Sequence, residues 1–334
     1  MQYLIFIIMV TLILFYLILI LLIIYYNKRT IEHMNGERFI YIGNNSWYSN
    51  FIKKIMHSYK ILDIDQSNAS SNDIIVYCNQ KDFTQINAFK IFVDGEPDSL
   101  VNLEADIIIT TKYEKKLLPN FKNQQIIYIP LYSLTFSECN LSPYLLLNKK
   151  IHVKTKFCAY ANSNCNKNSS GVKLREEFFD ILNKYHKVDV LGRCHGYTKI
   201  EDINMIKKAY KTTQINENWI SRNIKLYEPY KFVIAFENNP IDGYISEKII
   251  IPMLAGAIPI YYGSKDVAEH FNINSIINAR DYFSMHDLAL DVLDLHNNNS
   301  RYQKKIKEPW LFKLTDKFSW YTDNNFYKKL AIKF

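Results

Sequence analysis

Tyr230 to Ser264 reads YKFVIAFENNPIDGYISEKIIIPMLAGAIPIYYGS. Phe232 to Phe236 is an apolar run of strand length. Glu237 to Tyr244 is a polar loop that carries Asn238, Asn239, Pro240, Asp242 and Gly243. Ser246 stands where a helix N-cap belongs, and Glu247 to Ala255 has the apolar spacing of a helix. Gly256 suits the close of that helix, and Ile258 to Tyr262 reads as a second buried strand. Strand, polar loop, helix and strand make a βαβ unit. In open α/β sheets ligands collect at the carboxyl ends of strands, which is where this loop falls.

Lys248 gives the unit chemical interest. A lysine in a helix's first turn faces the positive end of the macrodipole, at a cost of a few tenths to about 1 kcal/mol. Free backbone N–H groups point out of the same end. A bound anion such as a phosphate resolves the conflict; a solvated lysine that bears the cost is the alternative.

The run FENxxxxGYxSEK, from Phe236 to Lys248, with the helix and AGAIPIYYGS after it, resembles the donor-binding signature of the α1,3/4-fucosyltransferases. KFCAYA (Lys156 to Ala161) with Asn162, Ser163 and Asn164, then Arg175 to Phe179 and YHKVDVLGR (Tyr185 to Arg193), is similar to the start of the same domain. DVAEHFNIN (Asp266 to Asn274) and Ile276 to Phe283 continue it. The likeness runs strongly from about Lys156 to Asn297, more thinly from Phe89 to Tyr132, and not before. It implies an inverting, GDP-fucose-dependent enzyme of the GT-B type, with two Rossmann-like domains facing a cleft.

Inverting glycosyl transfer needs a base for the acceptor hydroxyl, cations for the departing diphosphate and a pocket for the sugar. Glu96, in Phe92-Val-Asp-Gly-Glu-Pro, lies just past an expected strand, where a carboxylate faces the cleft and suits general-base work. The resemblance points to the same residue; a turn carboxylate beside Pro97 is the plainer alternative. One departure is Val93, where relatives often carry an aromatic residue for donor contact. Arg193, at the end of a strand, and Lys248 are expected on the diphosphate, the arginine by a bidentate grip. Asn238, Tyr244 and Glu247 match the family residues that hold the donor. Glu247 also suits a helix start on macrodipole grounds alone.

The rest of the chain fits this frame. Its 334 residues are 48% hydrophobic with 25 Tyr and 20 Phe, enough for two domains with full cores. The net charge of +8 comes from scattered lysines without a basic tract, so a nucleic-acid partner is not expected. Tyr3 to Tyr26 carries no charge and reads as one N-terminal transmembrane helix. Lys28 and Arg29 after it favour a cytoplasmic catalytic part by the positive-inside rule, whereas the resemblance implies a Golgi-type lumenal one, which we prefer. The expected organisation is a transmembrane anchor over 1–27, a stem over 28–37, an acceptor-side Rossmann-like domain over 38–150, and a GDP-fucose-binding domain with a helical C-terminal segment over 151–334.

Expected strands of the first domain are Phe39 to Ile42, Asp73 to Cys78, Phe89 to Val93, Asp106 to Thr110 and Ile126 to Pro130. The second opens with a strand near Phe157, a helix from Leu174 to Tyr185 and a strand from Val188 to Leu191, and later adds Ile276 to Ala279. The five cysteines have no metal-type spacing and the eight histidines no zinc grouping, so no metal is expected, Mn²⁺ being at most stimulatory. Asp63-Ile-Asp65 is read as surface or capping chemistry. The expected partners are GDP-fucose, a LacNAc-type glycan or glycoprotein acceptor, and a membrane. The rivals are a GT-B enzyme using another nucleotide sugar and a non-catalytic glycan-binding membrane protein.

Overall fold

The computed structural model describes residues 14–15, 17–21, 39–42, 48–56, 60–62, 69–78, 87–95, 105–112, 124–165, 168–194 and 219–323. Residues 14–15 and 17–21 are helical with exposed apolar side chains. Among the described residues no helix is long and apolar enough to cross a membrane, and most of the expected span lies outside them.

Two parallel sheets organise the chain. The first contains β1 (Phe39–Ile42), β2 (Lys60–Leu62), β3 (Ile74–Tyr77), β4 (Phe89–Asp94), β5 (Ile107–Thr110) and β6 (Gln125–Tyr128), in the order β2-β1-β3-β4-β5-β6. β3 (IIVY) and β5 (IIIT) are buried at every residue, as expected of strands covered on both faces. The second contains β7 (Lys156–Tyr160), β8 (Val188–Val190), β9 (Tyr230–Phe236), β10 (Ile258–Tyr262) and β11 (Ile277–Asn278), in the order β11-β10-β9-β7-β8. Every pairing in both sheets is parallel. Each sheet starts on an inner strand, winds outward one way and then the other, and so has a switch point where the winding reverses.

Helices cover the sheets. α1 (Ser49–Ile55) buries Phe51, Ile52 and Ile55 against the first sheet. α2 (Leu131–Glu138) follows β6 and joins the halves: Tyr132 N–H donates to Ile245 O at 2.9 Å, and Leu134 enters the first core. α3 (Ser170–Tyr185), α4 (Trp219–Tyr227), α5 (Glu247–Leu254), α6 (Val267–His270), α7 (Met285–Asn297) and α8 (Asn299–Lys307) serve the second sheet. Gly256, at φ +67°, closes α5 in the left-handed conformation that a side chain disfavours. The last described helix, α9 (Ser319–Thr322), falls in the stretch expected with the second domain, yet it returns to the first. Trp320 meets Phe51 edge-on at 5.4 Å, and its indole N–H donates to Ser133 Oγ at 2.6 Å.

Glu138, at the end of α2, accepts the Phe51 N–H at 3.1 Å and so caps α1 from a neighbouring element. Burial pushes its carboxyl up to about 7, with the N–H groups of Phe51 and Asn50 partly offsetting this. The unfolded group ionises near 4.5, so between these values the folded chain holds a proton that the unfolded chain has lost. That stabilisation is complete below the unfolded value and disappears as pH rises to the folded one. Glu138→Gln keeps the acceptor and cannot titrate. Urea midpoints should therefore fall from about pH 4.5 to 7 more steeply in the parent than in the variant; parallel slopes would contradict the assignment.

Candidate active site

The second sheet's switch point lies between β7 and β9. A cavity of about 360 Å³ opens there. Ala161, Asn162, Ser163 and Asn164 line it from the loop after β7, Asn238 from the loop after β9, and Glu247, Lys248 and Ile251 from α5. Trp219, Asn223 and Tyr227 of α4 add aromatic and amide surface. Polar loops, a lysine and aromatic faces at a switch point suit a ligand with a planar base and an anionic group.

The start of α5 is built on a buried carboxylate. Glu237 is fully buried and accepts Ser246 N–H and Ser246 Oγ–H, both at 2.7 Å. Ser246 Oγ in turn accepts the Lys248 N–H at 3.4 Å, the N-cap bond that the sequence predicts. Lys248 Nζ lies 3.3 Å from Glu237 Oε2, 3.1 Å from Ser246 Oγ and 3.8 Å from Glu247 Oε1. The helix-start lysine is thus offset by Glu237 from within the chain, so its place does not by itself require a bound anion. An ammonium has three donors, and Glu237 and Ser246 take two. The third can serve a ligand in the cavity.

Burial pushes the Glu237 carboxyl up, opposed by Lys248. Burial acts to lower the Lys248 ammonium, but the Glu237 and Glu247 carboxylates outweigh it and the net direction is upward. Lys248 therefore stays cationic around neutrality. Glu237 stands inside the motif of Phe236 to Lys248, but its role as the floor of the site was missed. Nothing in the local pattern says that it turns inward.

Arg175 of α3 was missed as well. It is fully buried; Nη1 donates to Phe236 O and Asn238 Oδ1, both at 3.2 Å, and Nη2 to Asn164 O at 2.6 Å. One guanidinium thereby ties together two loops that line the cavity. Only the likeness of Arg175 to Phe179 to the family pointed at this segment.

The other expected residues are placed differently. Tyr244 is buried and Arg193 exposed, and neither lines the cavity. Glu96, Asp63 and Asp65 lie outside the described residues. The strand leading to Glu96 ends in a buried ion pair: Lys112 Nζ is 3.2 Å from Asp94 Oδ2, and Thr110 Oγ1–H donates to the same oxygen at 3.0 Å. From the first half, Tyr128 O–H donates to Gly243 O at 2.8 Å, and Tyr132 OH meets His270 Nδ1 at 3.0 Å. Among the described residues no three His, Cys, Asp or Glu side chains gather as metal ligands.

Residues 151–326 match glycosyltransferase family 10 (fucosyltransferase), C-terminal part, which is more than half of the chain. The chain belongs to this fucosyltransferase family. It is 30% identical over 276 residues to a protein of Acanthamoeba polyphaga mimivirus that carries the fucosyltransferase name, covering 81% of this chain and 42% of that one. An α-(1,3)-fucosyltransferase of Helicobacter pylori is 31% identical over 54% of this chain and 33% of its own. GDP-fucose protein O-fucosyltransferase 3 of Bos taurus is 28% identical over 48% of this chain and 32% of its own. The chain thus spans well under half the length of these relatives.

Two solved structures share the fold. One is an α1,3-fucosyltransferase with GDP-fucose, with TM-score 0.61 and 20% identity, covering 89% of this chain and 90% of that one. The other is a DNA-modifying β-glucosyltransferase, with TM-score 0.55 and 11% identity, covering 89% of this chain and all of that one. The likeness over both sheets fits the GT-B type expected from the sequence.

Proposed function

We propose that this family member transfers fucose from GDP-β-L-fucose to a GlcNAc hydroxyl of a glycan, forming an α1,3 linkage with inversion. The observation that carries the reading is the switch-point cavity walled by Asn238, Glu247 and Lys248, within the segment that matches the family. Lys248 and Arg193 take the diphosphate, with the purine against the aromatic faces of α4. Glu247 accepts from sugar or ribose hydroxyls, and its charge favours an oxocarbenium-like transition state. Glu96 removes the acceptor proton from the opposite side. With Lys248 and Arg193 on the diphosphate, no step in this scheme calls for a metal ion.

Lys248→Ala alone also leaves the Glu237 carboxylate buried without its partner, which confounds a binding measurement. The pair Lys248→Ala/Glu237→Gln avoids that charge and keeps an acceptor for Ser246. Calorimetry should show GDP bound more weakly by about 1.5 to 3 kcal/mol, the scale of a charge-assisted contact. Unchanged affinity would remove Lys248 from the diphosphate.

The likeness to a GDP-fucose protein O-fucosyltransferase favours a second reading, with a protein hydroxyl as acceptor. Incubation with GDP-fucose, a LacNAc oligosaccharide and a folded hydroxyl-bearing domain separates the two by which species gains fucose in mass spectrometry. Fucosylation of the protein alone would overturn the glycan reading. The uncharged stretch from Tyr3 to Tyr26 supports a single-pass anchor. The Cys165–Cys194 disulfide supports the lumenal side, since disulfides persist in oxidising compartments.

A further inference from the structure

Arg193 stands on the turn after β8, and that turn is tied to the loop that lines the cavity. Leu191 N–H donates to Tyr160 O at 2.7 Å and Cys194 N–H to Asn162 O at 3.2 Å. Gly192 rests on the same backbone: a Cβ there would lie 2.3 Å from Asn162 O, so no side chain fits. The third tie is covalent, a disulfide between Cys165 and Cys194 across 29 residues of chain, with Cα atoms 5.5 Å apart. It joins the neighbour of Arg193 to the neighbour of Asn164, a cavity wall residue. Among the described residues this is the disulfide that a reductant opens.

We propose that the Cys165–Cys194 disulfide is the positioning element that holds the turn carrying Arg193 beside the loop that lines the cavity, so that Arg193 meets the diphosphate of a ligand bound there, making affinity for a nucleoside diphosphate depend on the oxidised state. The proposal rests on the donor reading above. Arginine is long and rich in rotamers, and ordering it against a ligand is unfavourable unless its backbone is already placed. With the covalent tie gone, the Leu191 and Cys194 backbone hydrogen bonds are what hold the turn among the described residues, on the outer strand of the sheet. Cys165 is exposed, so a soluble dithiol can reach the bond. Its thiolate attacks one sulfur, and ring closure of the dithiol releases the other. Two electrons and two protons pass to the protein, leaving two cysteine thiols and a cyclic disulfide.

The test titrates GDP and guanosine into the full chain, oxidised or reduced with dithiothreitol, in the parent and in Arg193→Ala. Reduction should weaken GDP about tenfold in the parent, the scale of one charge-assisted contact, and leave guanosine unchanged. In Arg193→Ala reduction should cost GDP nothing further. Cys165→Ser/Cys194→Ser without reductant should match the reduced parent. Equal GDP affinity in both states, the same loss in Arg193→Ala, or a parallel loss of guanosine would overturn the proposal. Failure of the donor reading looks different: the oxidised parent then binds neither ligand, and the proposal falls with it.

Discussion

Glu96→Ala is expected to lower turnover by about a hundredfold or more, the usual scale for a lost general base. Its affinity for GDP should stay nearly unchanged. The expectation combines two placements. Glu96 follows β4 of the first sheet, two residues past the buried Asp94, whereas the donor cavity belongs to the second sheet. A base on the acceptor should come from the face opposite the leaving group, so the two halves contribute separately. Initial rates beside calorimetry with GDP check both halves of the statement. A variant that loses GDP affinity while keeping its rate would make Glu247 the better candidate base.

Lys112→Met is expected to destabilise the fold by about 3 to 5 kcal/mol, the cost of removing one partner from a buried ion pair. Lys112 and Asp94 are both essentially without solvent contact, at 1% and 0% side-chain exposure. Methionine fills the aliphatic volume but leaves the carboxylate without its cation. Asp94→Leu/Lys112→Met removes both charges and should recover much of the loss, because desolvation then disappears along with the attraction. Urea unfolding of the two variants decides the matter. A single variant within about 1 kcal/mol of the parent would contradict the expected cost of a buried charge deprived of Lys112.

Legibility in the sequence followed how local each cause is. Phe39 to Ile42 and Ile258 to Tyr262 were read to the residue, and β3, β4, β5 and β9 within two residues at each end. Each is a mainly apolar run of strand length, so its cause is contained in itself. Ser246 as N-cap was legible for the same reason, its acceptor role reaching only to Lys248. Glu237 and Arg175 were not, because their roles depend on partners brought in by the fold. Arg175 lies 61 and 63 residues from two of its acceptors. The disulfide was illegible from five cysteines without metal or redox spacing, since pairing depends on the approach of β7 and β8. α4 was missed too: nothing in its polar surroundings announces that Trp219, Asn223 and Tyr227 face a cavity. Trp320 of α9 reaches the first core only because the chain crosses back, which no periodicity records.

The most direct measurement follows the anomeric centre. The full chain is incubated with GDP-β-L-fucose and a LacNAc oligosaccharide, and the product is read by proton NMR from the first turnovers. The account predicts an α-L-fucoside on GlcNAc O3 from the outset, with GDP released in equal amount. No fucose transfer, or a product whose first-formed linkage is β, would contradict it.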